Sequence, residues 1–458
     1  MHPSRRQDGA SGSAGEETAQ GDVDGDGNRR PLEGNFRAES PAVHALLPLP
    51  EKSLDLTLLA GGEVFSPKPL GKRDLLFGGG RIVAVLDVDE GLSLRKACRF
   101  VRYIENGLSV VPGLVDIHVH ATGGGGEAGP SSMIQPSSSQ KLMAAGTTTI
   151  VGVLGTDGIA RSPEALVAKC RGLEAEGMTA FFYTGSYAVP PRTVTESVEK
   201  DIMMIDRCIG VGEVALSDPR GSYPTVQQMA ELGSAVYRAG LLSGKKAIVH
   251  CHMGGEEAGL IPVFEALKGK LLPARVFLPT HMSRTPGLVA QARELVKMGG
   301  HVDLTGGKGT AEVIDGWLKE ARSGSGGIDV SKVSISSDCY GSLPKLDPET
   351  GEVIGYDYAR PTSLLKTLSR LMDGEAGWGL EDAIPFVTSN PAGALGFDKK
   401  GKIEVGADAD VCIINVEKLK GVDQSPTGGA QAQGKHDVDD VVQMTFAGGR
   451  LLYEKPSK

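Results

Sequence analysis

The residues best suited to chemistry in this sequence lie in one segment, where an apolar run ends in two histidines and opens into a glycine-rich loop. The segment reads PGLVDIHVHATGGGGEAGP from 112 to 130 and contains His118, His120 and Glu127. Side chains at i and i+2 of a strand share a face, so the two imidazoles point the same way, about 7 Å apart along the strand. Two histidines on one face predict a metal site.

Further histidines and acids follow apolar runs later in the chain: His250-Cys-His252, His281, Glu213 and Asp338. Imidazole nitrogens from three segments and two carboxylates are enough for two borderline cations such as Zn²⁺. With Glu213 bridging, cations roughly 3.5 to 4 Å apart would share a water and lower its pKa toward about 7. Asp338 would take the proton of the attacking water and pass it to the leaving group, as general base and then acid.

The elements that must position these residues are eight apolar strand candidates that alternate with helical segments. They cover residues 114–119, 147–154, 179–184, 211–216, 247–251, 275–279, 301–304 and 333–336. Eight such units predict an α/β protein with a (β/α)₈ TIM-type barrel, whose active site lies at the carboxyl ends of the strands. Nearly every candidate ligand falls at such an end.

Short β-type runs precede the barrel segment and return after it, which predicts one small β-sandwich domain built from both chain ends. We therefore expect a barrel over 113–396 and a small domain made of 53–112 and 397–458. Residues 1–52 are polar and acidic with few apolar side chains, and they predict a disordered tail.

Composition excludes several classes of partner. The formal net charge of -9 argues against nucleic acid and anionic membranes, because both require a positively charged face. No apolar stretch approaches the roughly 20 residues that cross a bilayer. The six cysteines form no C-x-x-C pair and suit a reducing compartment, so a cytoplasmic location is expected.

The chain resembles the amidohydrolase superfamily and, within it, the isoaspartyl (β-aspartyl) dipeptidases. The superfamily features are the His-x-His pair, single histidines that end strands five and six, the aspartate that ends strand eight, and the Gly-x-Asp-Ala-Asp turn at 406–410. The narrower motifs are GGGGEAGP (123–130), LGTD (154–157), TGSY (184–187), SVEKD (197–201), SDPR (217–220), HMG (252–254), LPTH (278–281) and SDCYGS (337–342). The resemblance covers about residues 54–455.

The resemblance assigns the metal ligands. One cation would be held by His118, His120 and Asp338. The second would be held by His252 and His281, with Glu213 bridging both. His252 is preferred to His250 because it is the histidine of His-Met-Gly, which leaves His250 as a core neighbour.

The resemblance also assigns the substrate contacts. Glu127 would bind the α-ammonium of the substrate, and Arg220 and Arg284 would bind a carboxylate. Tyr187 would polarise the scissile carbonyl or stabilise its oxyanion. Further hydrogen bonds would come from Gly125, Thr156 and Ser342. A β-aspartyl dipeptide has one ammonium and two carboxylates, which agrees with one acid and two guanidinium groups.

The sequence departs from the family pattern at two positions. The best-known members bridge the metals with a carboxylated lysine, where this chain has Glu213. Relatives often carry histidine before the first arginine, where this chain has Pro219. A carboxylate can serve as the bridge, although metal spacing and affinity would then differ, and Pro219 would alter the approach of Arg220.

Two alternatives remain open at this point. A cyclic amidase of the dihydroorotase or hydantoinase type would share the metal ligands but would not require the glycine loop with its acid. A non-catalytic scaffold of this superfamily would lack metal ligands, whereas every ligand position is filled here. The resemblance further implies a homo-oligomer that acts on a small dipeptide. The preference for the residue after isoaspartate is not predicted.

Overall fold

The computed structural model describes residues 56–98, 100–269, 271–324, 326–347, 350, 353–422, 424 and 436–456. The predicted tail, 1–52, lies outside these residues. Among the helices of the described chain, none has both the length and the apolar content needed to span a bilayer. All six cysteines fall within the described residues and are free thiols.

Five strands and one helix open the described chain: β1 (Thr57–Phe65), β2 (Pro69–Gly78), β3 (Arg81–Asp87), α1 (Val88–Ala97), β4 (Phe100–Tyr103) and β5 (Leu108–Pro112). β2 and β3 are antiparallel and joined by the two-residue turn Gly79-Gly80. A Gly-Gly pair suits such a turn because tight hairpins require positive φ. The sequence analysis predicted short β-type runs in this region but not α1.

Eight strands form the centre of the described chain: β6 (Leu114–Val119), β7 (Thr147–Gly152), β8 (Thr179–Thr184), β9 (Cys208–Leu216), β10 (Ile248–Met253), β11 (Phe277–Thr280), β12 (Val302–Thr305) and β13 (Val333–Ser336). Every residue of β6, β7, β9 and β10 is buried, as is typical of parallel strands covered on both faces. β11 begins at Phe277, two residues later than predicted, because Ala274–Val276 form a 3₁₀ turn.

The central strands pair in two parallel ladders, β11-β10-β9-β8-β7-β6 and β12-β13. Backbone hydrogen bonds connect the ladders at both edges. Met282 N donates to Asp303 O over 3.2 Å, and His120 N donates to Cys339 O over 3.0 Å. This arrangement is consistent with the predicted (β/α)₈ barrel.

Helices separate the central strands: α2 (Ser139–Ala144), α3 (Pro163–Ala175), α4 (Val198–Met204), α5 (Val226–Ser243), α6 (Ile261–Leu267), α7 (Pro286–Lys297) and α8 (Lys308–Ser323). Four of them begin after a Ser or Thr whose hydroxyl accepts a hydrogen bond from the backbone three residues on: Ser162, Ser197, Thr225 and Thr285. Such caps fix where each helix starts and therefore the length of each strand-to-helix loop.

The chain continues beyond β13 with an antiparallel hairpin, several helices and three strands. These elements are β14 (Ser342–Leu346), β15 (Val353–Tyr358), α9 (Ser363–Asp373), α10 (Leu380–Ala383), α11 (Ser389–Leu395), β16 (Val411–Asn415), α12 (Val416–Leu419), β17 (Val442–Ala447) and β18 (Arg450–Glu454). The sequence analysis missed the β14–β15 hairpin.

Strands from both chain ends pair in one eight-stranded sheet of the described chain, in the order β18-β17-β16-β5-β1-β2-β3, with β4 beside β1. The rings of Phe77 and Phe446 meet edge to face at 6.1 Å in its core, which joins the two ends. Strands from both parts of the chain thus share one sheet, whereas a two-sheet sandwich is not confirmed. The domain boundaries remain predictions.

Candidate active site

The six predicted metal ligands meet at one end of the central strands. They are His118 and His120 from β6 and its end, Glu213 from β9, His252 from β10, His281 after β11 and Asp338 after β13. The first five have at most 6% of their surface exposed, and the Asp338 side chain has 14% exposed. Residues distant in sequence thus form one buried cluster.

The Glu213 carboxylate lies at the centre of this cluster. Its Oε2 atom is 3.3 Å from Nε2 of His118 and 3.0 Å from Nδ1 of His252. Its Oε1 atom is 3.5 Å from Nε2 of His120. On the other side, Nδ1 of His252 is 3.0 Å from Nε2 of His281. One carboxylate therefore contacts both histidine pairs, as a bridging ligand would.

Asp338 closes the cluster on the side of the first histidine pair. Its Oδ1 atom lies 3.0 Å from Nε2 of His120 and 3.4 Å from Nε2 of His118. Together with Glu213, this arrangement surrounds the first histidine pair with two carboxylates.

Two of these residues have a left-handed backbone. The φ angle is 65° at His281 and 55° at Asp338. Such angles are costly for residues other than glycine, typically about 1–3 kcal/mol, and are found where the surroundings enforce them. At Asp338 the turn is held by Gly341 N, which donates to Asp338 O over 3.0 Å. The strand ends thus turn sharply where these side chains enter the cluster.

The donor set fits a divalent-cation centre. Two groups of three potential ligands, His118 with His120 and Glu213, and Glu213 with His252 and His281, have their ligand atoms within 4.8 Å of one another. Within the described structure, three buried atoms of this cluster lack hydrogen-bond partners: His118 Nε2, His120 Nδ1 and Glu213 Oε1. Buried polar atoms are normally paired, so these atoms indicate a missing ligand. Nitrogen and carboxylate oxygen are donors that Zn²⁺ accepts.

The electrostatics of the cluster favour positive charge. Burial would raise the pKa of Glu213, but the imidazoles, above all His118, lower it well below its usual range. The same balance lowers the pKa of Asp338. Burial would lower the pKa of His118, but the two carboxylates raise it well above its usual value. Burial and the neighbouring His252 lower the pKa of His281 to about 3. The carboxylates are thus anionic at neutral pH, and a cation can supply the positive charge they favour.

A cavity of about 400 Å³ opens onto the cluster and reaches His120, His252 and Asp338. All six predicted substrate contacts line it, namely Gly125, Glu127, Thr156, Arg220, Arg284 and Ser342, and so does Tyr187. The sequence-predicted residues therefore share one space with the candidate metal ligands.

Glu127 is one of the acids that line this cavity. Its Oε1 atom accepts hydrogen bonds from Ser342 Oγ at 2.7 Å and Thr156 Oγ1 at 3.3 Å. Nη1 of Arg220 lies 3.7 Å away. In the described chain, the buried Oε2 atom has no hydrogen-bond partner. The carboxylate is thus positioned through Oε1, and its Oε2 atom can accept a hydrogen bond from a cationic group.

Arg220 is oriented by an acid to which the sequence analysis assigned no role. Its Nε and Nη2 atoms donate to the Asp218 carboxylate over 2.9 and 2.7 Å. Oδ2 of Asp218 also lies 3.2 Å from Nε2 of His252. Asp218 therefore links the arginine to a candidate metal ligand and leaves Nη1 of Arg220 directed toward Glu127.

Tyr187 and Arg284 approach the cluster from the cavity. The Tyr187 hydroxyl lies 2.9 Å from Nδ1 of His252, and burial together with Glu213 raises the pKa of this tyrosine well above its usual value. Nη1 of Arg284 lies 3.4 Å from Nε2 of His252 and donates to Met253 O. Tyr187 thus remains protonated and can donate a hydrogen bond.

The glycine loop is fixed by Arg161, which the sequence analysis did not identify. Its Nη2 atom donates to Gly124 O over 2.8 Å, and Nη1 donates to Asp157 over 2.8 Å. Gly125 has φ 74°, and an added Cβ would lie 2.5 Å from Ser132 O, so no larger residue fits there. The i, i+4 spacing of Asp157 and Arg161 was visible in the sequence, but their contact with the loop was not.

The Amidohydrolase family model matches residues 279–452. One similar structure is the β-aspartyl dipeptidase of the thermophilic, keratin-degrading Fervidobacterium islandicum AW-1, solved in complex with the β-Asp-Leu dipeptide. It is 35% identical to this chain, and the match covers 87% of this chain and 97% of that chain with a TM-score of 0.74. Another structure of β-aspartyl dipeptidase from this organism gives 33% identity and a TM-score of 0.72 over 88% and 99%. Dihydropyrimidinase from Brevibacillus agri NCHU1002, at 14% identity and a TM-score of 0.54 over 86% and 94%, shares the fold.

This chain is a hydrolase of the amidohydrolase superfamily, as its fold, its cluster of histidines and carboxylates and these matches show. Within that class, the chain belongs to the β-aspartyl dipeptidase family.

Proposed function

We propose that this protein hydrolyses the isopeptide bond of β-aspartyl (isoaspartyl) dipeptides with a binuclear metal centre. The observation that carries the proposal is the shared cavity, which is lined by candidate metal ligands together with Glu127, Arg220 and Arg284. The Fervidobacterium relative, solved with β-Asp-Leu, supports the same substrate class.

Two divalent cations, with Zn²⁺ as the expected metal, would be held by the cluster. His118, His120 and Asp338 would hold one. His252 and His281 would hold the other, and Glu213 would bridge both. When bound, the cations would supply Lewis-acid activation of a water molecule and of the scissile carbonyl. We also propose that the eight central strands close into a barrel that keeps these ligands in register.

The charged groups of the substrate would be divided between the cavity residues. Glu127 would accept hydrogen bonds from the α-ammonium through its unpartnered Oε2 atom. Arg220 and Arg284 would bind a substrate carboxylate, with Arg220 kept in place by Asp218. Charge-assisted hydrogen bonds of this kind are about twice as strong as neutral ones, so they can fix the β-carbonyl beside the cluster.

The remaining residues would move protons and hold the reacting groups. Asp338 would accept the proton of the attacking water and deliver it to the leaving amine nitrogen. The Tyr187 hydroxyl would donate to the carbonyl oxygen as negative charge develops there. Gly125, Thr156 and Ser342 would supply hydrogen bonds to the substrate. A homo-oligomeric state and a cytoplasmic location remain predictions from the sequence.

The test is a panel of amides on metal-loaded protein. β-Asp-Leu, dihydroorotate and several N-acyl amino acids would be compared at equal concentrations. We expect turnover of β-Asp-Leu alone. Faster turnover of dihydroorotate would instead support a cyclic amidase, and no turnover at full metal occupancy would support a non-catalytic protein.

A further inference from the structure

The β14–β15 hairpin forms an apolar wall of the active-site cavity. Besides Ser342, four of its side chains line the cavity: Leu343, Pro344, Val353 and Tyr356. Leu343 is 42% exposed and Val353 is 49% exposed, and both lie beside a cavity that also presents several charged groups. Exposed aliphatic groups at a binding cavity gain from burial against an apolar part of a ligand.

The hairpin is attached directly to Glu127, an acid of the active-site cavity. Its first residue, Ser342, donates to Glu127 over 2.7 Å. Backbone pairing continues from its base, because Tyr340 N donates to Ala359 O over 2.9 Å and Ala359 N donates to Gly341 O over 3.0 Å. The register pairs Pro344 with Tyr356 across the two strands. The wall therefore has a fixed position relative to the acid that would bind the substrate ammonium.

The chemistry of the substrate leaves one group without a partner in the proposed function. The ammonium and carboxylates of a β-aspartyl dipeptide use Glu127, Arg220 and Arg284, and the scissile amide faces the metal ligands. The side chain of the residue that follows isoaspartate still needs a surface. The lining side chains of the hairpin carry no charge, and those of Leu343, Pro344 and Val353 are purely hydrocarbon.

We propose that the β14–β15 hairpin is the subsite for the leaving residue of the dipeptide and that it selects apolar side chains, such as leucine, over glycine and lysine. This inference rests on the proposed function and adds to it the preferred class of leaving residue. An apolar pocket commonly gives selectivity of about 10- to 200-fold per small apolar group. We therefore expect kcat/KM for β-Asp-Leu to exceed that for β-Asp-Gly by at least about tenfold.

The experiment measures kcat and KM for β-Asp-Leu, β-Asp-Gly and β-Asp-Lys with wild type, Leu343→Ser, Tyr356→Ser and a matched control, Ile354→Ser. Ile354 lies on the same hairpin and is 65% exposed but does not line the cavity. We expect the Leu/Gly ratio of kcat/KM to fall several-fold in the first two variants and to stay at the wild-type value in the control.

The possible outcomes separate this inference from the proposed function. If wild type cleaves all three peptides with similar kcat/KM, or prefers β-Asp-Lys, the apolar subsite is wrong while the dipeptidase proposal stands. If the ratio is unchanged in Leu343→Ser and Tyr356→Ser, or falls equally in Ile354→Ser, the hairpin does not select the leaving residue. If no β-aspartyl peptide is cleaved, the proposed function fails and the subsite with it.

Discussion

His250 and His118 face each other through their ring nitrogens, with Nε2 of His250 2.8 Å from Nδ1 of His118. Nδ1 of His250 lies 3.0 Å from Leu278 O. A carbonyl oxygen only accepts, so Nδ1 of His250 carries the hydrogen, and in a neutral ring Nε2 is then an acceptor. The hydrogen between the rings therefore belongs to Nδ1 of His118, whose Nε2 atom faces Glu213 and Asp338.

This relationship predicts that His250 supports metal binding without contacting the metal. His250→Leu removes the acceptor, and the loss of such a supporting group typically lowers metal affinity about 10- to 100-fold. His250→Gln offers an oxygen in place of Nε2 and should retain most of the affinity. Zn²⁺ affinity, measured by competition with a chelator, checks this, with His301→Leu as a buried histidine control outside the cluster. Equal affinity in the Leu and Gln variants of His250 would contradict the tautomer argument.

The proposed bridging role of Glu213 predicts that metal-free protein regains full activity with Zn²⁺ in the absence of bicarbonate. A lysine bridge must be carboxylated before it can bind metal, whereas a glutamate, with an ordinary pKa of about 4.3, is already anionic. Glu213→Gln should lower the occupancy of both metals in elemental analysis. Glu213→Lys should recover activity only when carbon dioxide is supplied. Dependence of the wild type on bicarbonate would exclude Glu213 as the bridge.

The strand-end residues were predictable because their signals are local. His118 and His120 are two positions apart in an apolar strand, and the other candidate ligands each follow an apolar run. Strand periodicity fixes which residues share a face, and parallel strands with short connections bring their carboxyl ends to one edge. The eight central strands were therefore predicted to within a few residues.

The supporting contacts were not predictable because they join residues whose proximity depends on the folded chain. Asp218 pairs with Arg220 nearby, but its contact with His252 depends on the alignment of β9 with β10. The pairing of His118 with His250 joins positions 132 apart in sequence. The hairpin was missed because Lys345, Pro344 and Gly355 interrupt any alternating apolar pattern within it.

Asp338→Asn should fold normally and lose nearly all turnover. The amide cannot accept a proton from water, and general base catalysis commonly contributes about 100- to 10,000-fold. The measurement is kcat at verified metal occupancy, with thermal melting as a control for folding. Activity near the wild-type level at full occupancy would remove Asp338 from the mechanism.

We predict that His301 makes the folded protein less stable in mild acid. Burial and the nearby Lys246 and Lys332 lower its pKa from 6.5 to about 4 in the folded protein. Between these two pH values the unfolded chain binds a proton at this histidine, whereas the folded chain does not. The free energy of unfolding therefore decreases as the pH falls through this window, by at most about 3 kcal/mol. His301→Gln should lose less stability than wild type between about pH 7 and about pH 4.5 in urea denaturation. Identical losses in both proteins would contradict the assignment.

The central claim is that one acid and two arginines hold the substrate so that only its β-carbonyl reaches the metal ligands. The most direct measurement is the ratio of kcat/KM for β-Asp-Leu and α-Asp-Leu on one metal-loaded preparation of the wild type. Misplacing the reacting carbonyl by about 1 Å can cost about 100-fold, so we expect the β-linked peptide to be favoured by about 100-fold or more. Equal values for the two isomers would contradict the claim.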